Sequence, residues 1–188
     1  MGRWKPDARA RLEQAALTLY KERGFTQTTV AEIAERAGLT ERTFFRHFSD
    51  KREVLFSGAE AFQRQLVNAL DDAPSSLSPI DAVGNAVESV ARLFDGRREL
   101  ARKRHAVISK NPELQERERI KLASLATALT IALRRRGVRE PEASLAAEMG
   151  VAVLRVAFQR WILQPGDRDL ARAIRESFDA LKLVTAGK

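Results

Sequence analysis

The chain has 188 residues, of which 33 are Lys or Arg and 25 are Asp or Glu, so its formal net charge is +8 at neutral pH. Its content of 44% hydrophobic and 31% charged residues is typical of a folded globular protein and excludes a disordered or collagen-like chain. The lack of cysteine excludes disulfides, thiolate nucleophiles and iron–sulfur clusters, and with only two histidines present we predict no cofactor and no metal site.

Nine helices and no strand are predicted along the chain. Apolar residues recur at helical spacing, and most glycines and prolines stand where a helix would begin or end. Thr29 and Glu32 form a capping box. Thr40 marks the next helix start, and Asp50 marks the start of a longer fourth helix. The predicted helices cover about 7–23, 29–37, 40–47, 50–70, 79–95, 98–109, 112–136, 141–164 and 167–184.

The eighth predicted helix differs from the others because two of its faces are apolar. Such a helix has to be covered on two sides. The ninth helix has one apolar stripe, from Leu170 to Leu181, which would pack beside the eighth. The two faces of the eighth helix carry Leu145, Met149, Ala152 and Val156 on one side, and Val151, Leu154, Phe158 and Trp161 on the other.

Residues 28–48 predict a helix, a tight turn and a second helix, which is helix-turn-helix geometry. In such a unit the second helix lies in the major groove of DNA, with its first turns at the base edges. Each helical residue advances by about 100°, so Arg42 and Arg46 share a face opposite the apolar Phe44. A guanidinium on that face can bond the O6 and N7 atoms of guanine. A solvated basic face is the plain alternative, but the caps, the glycine turn and the apolar anchor together favour DNA binding.

Nine residues in and after this segment are candidate DNA contacts. Side chains near the start of the second helix would read base edges, whereas those around it would meet phosphates and fix the register. The predicted base contacts are Thr40, Glu41, Arg42, Thr43 and Arg46, and the predicted phosphate contacts are Thr28, Thr29, His47 and Lys51.

This part of the chain resembles the DNA-binding domain of the tetracycline-repressor (TetR) family of bacterial transcription regulators. The resemblance departs from the commonest pattern at Phe45, where many members have a tyrosine whose hydroxyl touches phosphate. Phe45 lacks that hydroxyl and is expected to pack against the sugar-phosphate backbone instead. The matching segments are Gly24-Phe25, Thr28-Thr29-Val30, Ile33-Ala34, Ala37-Gly38-Leu39, Thr43-Phe44-Phe45-Arg46-His47-Phe48 and Lys51.

The resemblance implies an all-α protein of about nine helices, with a helix-turn-helix DNA-binding domain over 1–56 and an effector-binding and dimerisation domain over 57–188. It implies a homodimeric repressor that binds a palindromic operator in double-stranded DNA and is released by a small-molecule effector. The expected ligand pocket contains Phe62, Phe94, His105, Met149 and Phe158, with plain core as the alternative for each. The expected dimer interface contains Trp161, Leu170, Ile174, Phe178 and Leu181, with a monomeric core as the alternative.

Two other classes of function fit the sequence less well. An enzyme is disfavoured because there is no phosphate-binding glycine loop, no nucleophile–base pair and no His-rich metal motif. An effector-independent or nonspecific basic DNA-binding protein, or a membrane-surface protein, is the alternative that the net charge allows. The charge is not concentrated, however, since residues 1–56 carry +3 and the remainder +5. The first residues lack the apolar core of a secretory signal and no apolar run could cross a bilayer, so we expect a cytoplasmic protein.

Overall fold

The fold is all-α, as predicted. A computed structural model describes residues 7–164 and 169–186, and within those ranges it contains no strand. The helices are α1 (Ala8–Arg23), α2 (Val30–Arg36), α3 (Glu41–His47), α4 (Ala59–Asp71), α5 (Pro79–Val90), α6 (Arg98–Ile108), α7 (Pro112–Arg135), α8 (Glu142–Leu163) and α9 (Leu170–Thr185), with short 3₁₀ helices at Glu53–Phe56 and Ala91–Phe94. The predicted helix start at Asp167 lies outside the described residues, and Asp169 caps α9 by accepting from the Arg172 amide at 2.6 Å.

The short helices α2 and α3 begin at the caps that the sequence predicts. The Thr29 hydroxyl accepts from the Glu32 amide at 3.2 Å, and the Glu32 carboxylate accepts from the Thr29 amide at 2.8 Å. The Thr40 hydroxyl accepts from the Thr43 amide at 3.2 Å. Both caps therefore satisfy amides that have no partner within their helix.

The turn between α2 and α3 depends on a glycine and on an arginine of α1. Gly38 has a φ of +62°, a left-handed conformation that glycine adopts without steric cost. A Cβ atom at this position would lie 2.9 Å from a guanidinium nitrogen of Arg11. That guanidinium donates to the carbonyls of Ala37 and Gly38, where α2 ends. The turn is thereby tied to α1.

The predicted start of the fourth helix at Asp50 is wrong. The Asp50 carboxylate instead accepts from the amides of Arg52 and Glu53, at 2.7 and 3.2 Å, where the 3₁₀ helix Glu53–Phe56 begins. The apolar residues of that short helix are all buried. The chain then turns, and α4 begins only at Ala59. Because glycine is a poor helix former, Gly58 favours this break.

Contacts within the chain group it into two compact units. The first takes in Met1–Gly58 and Lys103–Glu118, and the second takes in Ala59–Arg102 and Arg119–Lys188. The corner between α6 and α7 therefore belongs with the helix-turn-helix segment, a grouping that no local sequence signal predicts. The domain boundary after residue 56 stays a prediction.

The core of the second unit lies where α5, α8 and α9 pack together. Gly150 of α8 is so close to α5 that an added Cβ atom would lie 2.2 Å from a methyl carbon of Val83. On α9, Leu170, Ile174 and Phe178 are each at most 7% exposed. In neither unit, as far as its residues are described, is any helix long and apolar enough to cross a membrane.

Candidate nucleic-acid interface

Helices α1, α2 and α3 pack around a small apolar core. Leu12 of α1, Ile33 of α2 and Phe44 of α3 are all 0% exposed. The Phe44 ring also contacts Phe48, with centroids 5.4 Å apart. Because Phe44 points into this core, the opposite face of α3 points to solvent.

The outward face of α3 carries the two predicted base-reading arginines. Glu41, Arg42 and Arg46 are exposed, and the Phe45 side chain is exposed by 55%. Neither guanidinium makes a hydrogen bond or an ion pair with any residue that the structure describes. This placement agrees with the face that the sequence predicts, while the contacts with DNA stay predictions.

The two threonines at the start of α3 are partly engaged within the chain. The hydroxyl oxygens of Thr40 and Thr43 lie 3.1 Å apart, within hydrogen-bond distance. Thr40 is exposed and Thr43 is half-buried. A base contact from the Thr40 hydroxyl would therefore share its oxygen with the helix cap, and one from the Thr43 hydroxyl would share its oxygen with the bond to Thr40.

Thr29 is exposed at the start of α2, but its polar groups are bound to Glu32. In addition to the capping box, the Thr29 hydroxyl lies 3.0 Å from a carboxylate oxygen of Glu32. Arg23 donates to the other carboxylate oxygen at 2.7 Å. The hydrogen bond from the Thr29 amide, followed by these contacts, holds the pKa of Glu32 below its ordinary value. Glu32 therefore stays ionised and keeps the Thr29 side chain in place.

Thr28 and Lys51 require a correction, because both were predicted to contact phosphate. Thr28 is 0% exposed, and its hydroxyl donates to the Gly24 carbonyl at 2.8 Å. The Lys51 ammonium donates to the carbonyls of Phe25, Thr26 and Thr28 at 3.0, 3.2 and 2.8 Å. An ammonium has three N–H donors, so none is left for a phosphate. Both side chains therefore donate to main-chain carbonyls of their own chain.

His47, at the end of α3, is half-buried. Its Nε2 atom is enclosed and has no hydrogen-bond partner among the described residues. The ring lies beside Phe48, with centroids 6.4 Å apart. A phosphate contact from His47 would therefore come from its other ring nitrogen, Nδ1.

Several other arginines of the first unit are paired within the chain. Arg36 lies 2.9 Å from Glu22, and Arg52 donates to Asp50 at 2.8 Å. The bond between Arg52 and Asp50 is the largest cause that raises the pKa of the guanidinium and lowers the pKa of the carboxyl. These pairs neutralise charge around α3, so the exposed guanidiniums of α3 supply positive charge to this surface.

In the second unit, three of the five predicted pocket residues form one aromatic cluster. The Phe94 ring lies 5.8 Å from the ring of Phe62 and 5.5 Å from that of Phe158, measured between centroids. Trp161, which was predicted for the dimer interface, joins this cluster 5.6 Å from Phe158. The two other pocket candidates are Met149, half-buried on α8, and His105, which belongs to the first unit.

The structure corrects the predicted dimer interface. Trp161, Leu170, Ile174 and Phe178 are at most 7% exposed within a single chain, and Leu181 packs against the same core. A side chain that its own chain already encloses cannot be covered by a second copy. Trp161, Leu170, Ile174 and Phe178 therefore form part of the apolar core of the second unit. Leu181 is only partly buried, so its place in the interface stays a prediction.

The other apolar face of α8 is open to solvent. Leu145, Val156 and Leu163 are 54%, 45% and 66% exposed. Ala152 between them is exposed as well, and Met149 is half-buried. Of the two apolar faces that the sequence predicts for this helix, one lies in the core and the other has no cover within the described chain.

A small three-helix unit with an outward basic helix is the arrangement of a helix-turn-helix transcription regulator. The family model described as "Bacterial regulatory proteins, tetR family" matches residues 13–57, and the model "MftR C-terminal domain" matches residues 77–185. The chain belongs to the TetR family of transcription regulators, whose members are not enzymes.

Two relatives and one solved structure illustrate how similar known proteins are to this chain. The HTH-type transcriptional regulator TcmR of Streptomyces glaucescens is 37% identical over 89 residues, which span 47% of this chain and only 39% of TcmR. The putative mycofactocin biosynthesis transcriptional regulator MftR of Mycobacterium tuberculosis is 26% identical, over 96% of this chain and 92% of MftR. Among solved structures, the complex of SmeT with triclosan has a TM-score of 0.66 at 22% identity, covering 95% of this chain and 90% of SmeT. SmeT is the repressor of a multidrug efflux pump in Stenotrophomonas maltophilia.

Proposed function

We propose that this regulator is a homodimeric repressor that binds a palindromic operator through α3 and is released by a small-molecule effector. Residues 1–56 would bind DNA, and residues 57–188 would bind the effector and the second copy. The observation that supports this most directly is the outward face of α3. There Arg42 and Arg46 are exposed, with no partner in the described chain, beside the exposed ring of Phe45.

Sequence reading is assigned to the first turns of α3 in the major groove. Arg42 and Arg46 can each donate two hydrogen bonds to guanine, which discriminates against another base by about 1–3 kcal/mol. Glu41 can accept from the amino group of cytosine. Phe45 packs against the sugar-phosphate backbone, and the half-buried His47 contacts phosphate. Thr29 and Thr40 add contacts that share their oxygens with the helix caps, and Thr43 adds one that shares its oxygen with the bond to Thr40.

Dimerisation is assigned to the open apolar face of α8. Leu145, Val156 and Leu163 present a stripe that a second copy of the same helix would cover across a twofold axis. Such a contact is isologous, because the same surface serves both copies. Two copies then present two α3 helices, which matches a palindrome whose half-sites are about 34 Å apart, or a multiple of that spacing.

The effector is assigned to the aromatic cluster of the second unit. Rings of Phe62, Phe94, Phe158 and Trp161 lie together and are suited to an apolar or aromatic molecule. SmeT, which shares the fold, has been solved with triclosan. An effector releases DNA only if it binds more tightly to a conformation that fits the operator poorly. Met149 and His105 stay predictions for this pocket.

Selection from a random duplex library at near-physiological salt, followed by footprinting, tests the DNA-binding proposal. We expect one palindrome with two major-groove half-sites. Arg42→Ala and Arg46→Ala should relax the base preference within each half-site while the protein stays folded. Arg64→Ala is the matched control, since Arg64 is an exposed arginine of α4 with no partner among the described residues.

The same selection separates the alternative function from the proposed one. A nonspecific basic DNA-binding protein would enrich no sequence, and its affinity would depend mainly on salt. An effector-independent regulator would enrich a sequence, but no compound that binds the protein would release it from that sequence. Unchanged sequence specificity in Arg42→Ala and Arg46→Ala would show that these residues of α3 do not read the operator sequence. In cells, a reporter downstream of the selected operator distinguishes repression from activation.

Fluorescence of Trp161 tests the effector site. The chain has two tryptophans, so Trp4→Phe leaves Trp161 as the reporter. Triclosan is a suitable first probe, followed by a panel of apolar compounds. We expect a compound that changes Trp161 emission to release the protein from the selected operator over the same concentration range. Phe158→Ala should weaken both effects together, and a change in emission without release would contradict the proposed coupling.

A further inference from the structure

The ammonium of Lys51 holds the segment that connects α1 to α2. Its three donors go to the carbonyls of Phe25, Thr26 and Thr28, over distances of 3.0, 3.2 and 2.8 Å. It also lies 4.6 Å from the centre of the Phe25 ring, a cation–π contact. The side chain is therefore fully committed within the first unit.

The connecting segment needs a donor because its carbonyls have no helical partner. Helix α1 ends at Arg23 and α2 begins at Val30. Gly24 has a φ of +87°, so the chain leaves the helix abruptly. The Thr28 hydroxyl satisfies the Gly24 carbonyl, and Lys51 satisfies three more. The Phe25 carbonyl also accepts from the Thr28 amide at 3.3 Å, and the bond to the Thr26 carbonyl is exposed. Loss of the ammonium would therefore be felt most at the partly buried Thr28 carbonyl, where a missing partner costs free energy, so these bonds keep the segment in one conformation.

The main chain of Lys51 is fixed as well. The Tyr20 hydroxyl of α1 donates to the Lys51 carbonyl at 2.6 Å. Tyr20 is only 3% exposed, and burial, followed by the charge of Asp50, raises the pKa of its hydroxyl, which therefore keeps its proton. The Tyr20 ring packs edge-on against Phe25, with centroids 5.2 Å apart. Residue 51 is thus joined to α1 through its main chain and to the segment after α1 through its side chain.

We propose that Lys51 is a positioning residue for DNA binding, which fixes α3 relative to the start of α2 and does not itself contact phosphate. Lys51 follows the C-cap of α3, Phe48, by three residues. The segment that it holds leads directly into Thr29, the N-cap of α2. One side chain therefore links the end of the recognition helix to the start of the helix before it. This inference rests on the DNA-binding function proposed above.

The salt dependence of binding separates positioning from a phosphate contact. Loss of one phosphate contact lowers the slope of log K against log salt concentration by about 0.9. Loss of positioning lowers the affinity at every salt concentration and leaves the slope unchanged. Lys51→Met removes the charge and the three donors but keeps an unbranched side chain. Lys51→Arg keeps the charge, but a planar guanidinium cannot reproduce the three convergent bonds of an ammonium.

We expect Lys51→Met and Lys51→Arg to bind the selected operator at least about tenfold more weakly, with an unchanged salt slope. Binding is measured well below the melting temperature of each variant, so that only fully folded protein is compared. Hydrogen exchange of the amides of 24–29 is expected to rise relative to those of α1. Thr28→Val, which breaks the bond to Gly24 and keeps Lys51, should give the same pattern more weakly. Arg64→Met is the matched control and should change neither quantity.

Two outcomes overturn the inference. One is a slope that falls by about 0.9 in Lys51→Met while Lys51→Arg binds normally and exchange is unchanged, which identifies a phosphate contact. The other is wild-type affinity in Lys51→Met. Should Lys51→Met fail to fold, Lys51→Arg and Thr28→Val provide the same comparison. Failure of the wild-type protein to select any sequence refutes the proposed function instead. In that case the inference about Lys51 is still tested by hydrogen exchange, and unchanged exchange in Lys51→Arg overturns it.

Discussion

The Nε atom of Arg117 lies 2.6 Å from a carboxylate oxygen of Glu53 and so joins α7 to the 3₁₀ helix that follows α3. Nearby, the Nε atom of Arg104 donates to the Leu55 carbonyl at 2.5 Å. Burial lowers the pKa of this guanidinium, and Glu118, at 3.4 Å, opposes that change. The corner between α6 and α7 is therefore bonded to the end of the helix-turn-helix segment within the first unit.

Breaking the contact between Glu53 and Arg117 should destabilise the protein. Glu53→Gln removes the charge at a side chain that is 17% exposed, and we expect the free energy of unfolding to fall by about 1–2 kcal/mol. Urea unfolding measures it. In combination with Arg117→Met the two losses should be less than additive, because both changes remove one contact.

Glu13→Gln is the control for this cycle. Its partner Arg9 lies 3.4 Å away on the same helix, and both side chains are a third or more exposed. Such a pair contributes about 0.5 kcal/mol or less. A loss in Glu53→Gln no larger than that in Glu13→Gln would contradict the role given to Glu53.

Phe44→Ala should unfold the helix-turn-helix segment. Phe44 is 0% exposed, and truncation of a buried phenylalanine costs about 3–5 kcal/mol. Circular dichroism on heating measures the effect. Phe45→Ala is the matched control on the adjacent position, 55% exposed, and its melting temperature should stay near that of the wild type. Normal stability of Phe44→Ala would show that the core of α3 is misassigned.

Gly150→Ala should strain the contact between α8 and α5. The new Cβ atom would lie 2.2 Å from Val83, and overpacking of this kind costs about 1–3 kcal/mol. Val83→Ala in the same chain should restore part of the loss, which denaturant titration of the single and double variants can measure. Gly84→Ala is the control, because its Cβ atom would make an ordinary contact at 3.5 Å with Phe178. Equal losses at the two glycines would argue against a close approach at Gly150.

Val156→Arg should dissociate the proposed dimer. Val156 is 45% exposed on the open face of α8, so an arginine there can remain solvated in the single chain but would be buried in a dimer at high cost. Sedimentation should show a monomer with a normal melting temperature and weak binding to the full palindrome. Asn85→Arg, at an exposed position of α5, is the control and should remain a dimer. Dimeric Val156→Arg would move the interface elsewhere.

Acid should weaken the fold partly through Asp50. Its bonds to Arg52 are the main cause that lowers its pKa in the folded protein, so it stabilises the fold above its ordinary pKa of about 4 and this stabilisation is lost as the pH falls through the lowered value. Asp50→Asn should make the fall in unfolding free energy below about pH 5 shallower.

The local signals in the sequence predicted the short helices well. Thr29, Thr40 and Gly38 act within a few residues of their own position, so their capping and turn roles can be read directly from the sequence. Asp50 is the exception. A carboxylate can accept from amides at the start of a 3₁₀ helix as readily as from those of an α-helix, and nothing in Asp50 itself indicates that the chain turns again before α4.

Longer-range features were less predictable because a pattern of apolar residues does not identify what covers it. The stripe on α9 was assigned to a second copy, although α5 and α8 of the same chain enclose Ile174 and Phe178. In the same way, a lysine after a recognition helix can reach a phosphate or a carbonyl of its own chain. Only the fold shows that the carbonyls of Phe25, Thr26 and Thr28 surround the Lys51 ammonium. For α8, the presence of two apolar faces was the sequence signal that indicated its open apolar face.

The outward residues of α3 contribute little to holding the fold together. Arg42 and Arg46 bond to nothing in the described structure, whereas Phe44 and the caps at Thr29 and Thr40 hold the fold. Under the proposed function, variation of the outward positions alone would therefore yield regulators with new operators on an unchanged scaffold. Several such variants could act in one cell, each on its own operator, and all could be released by the same effector.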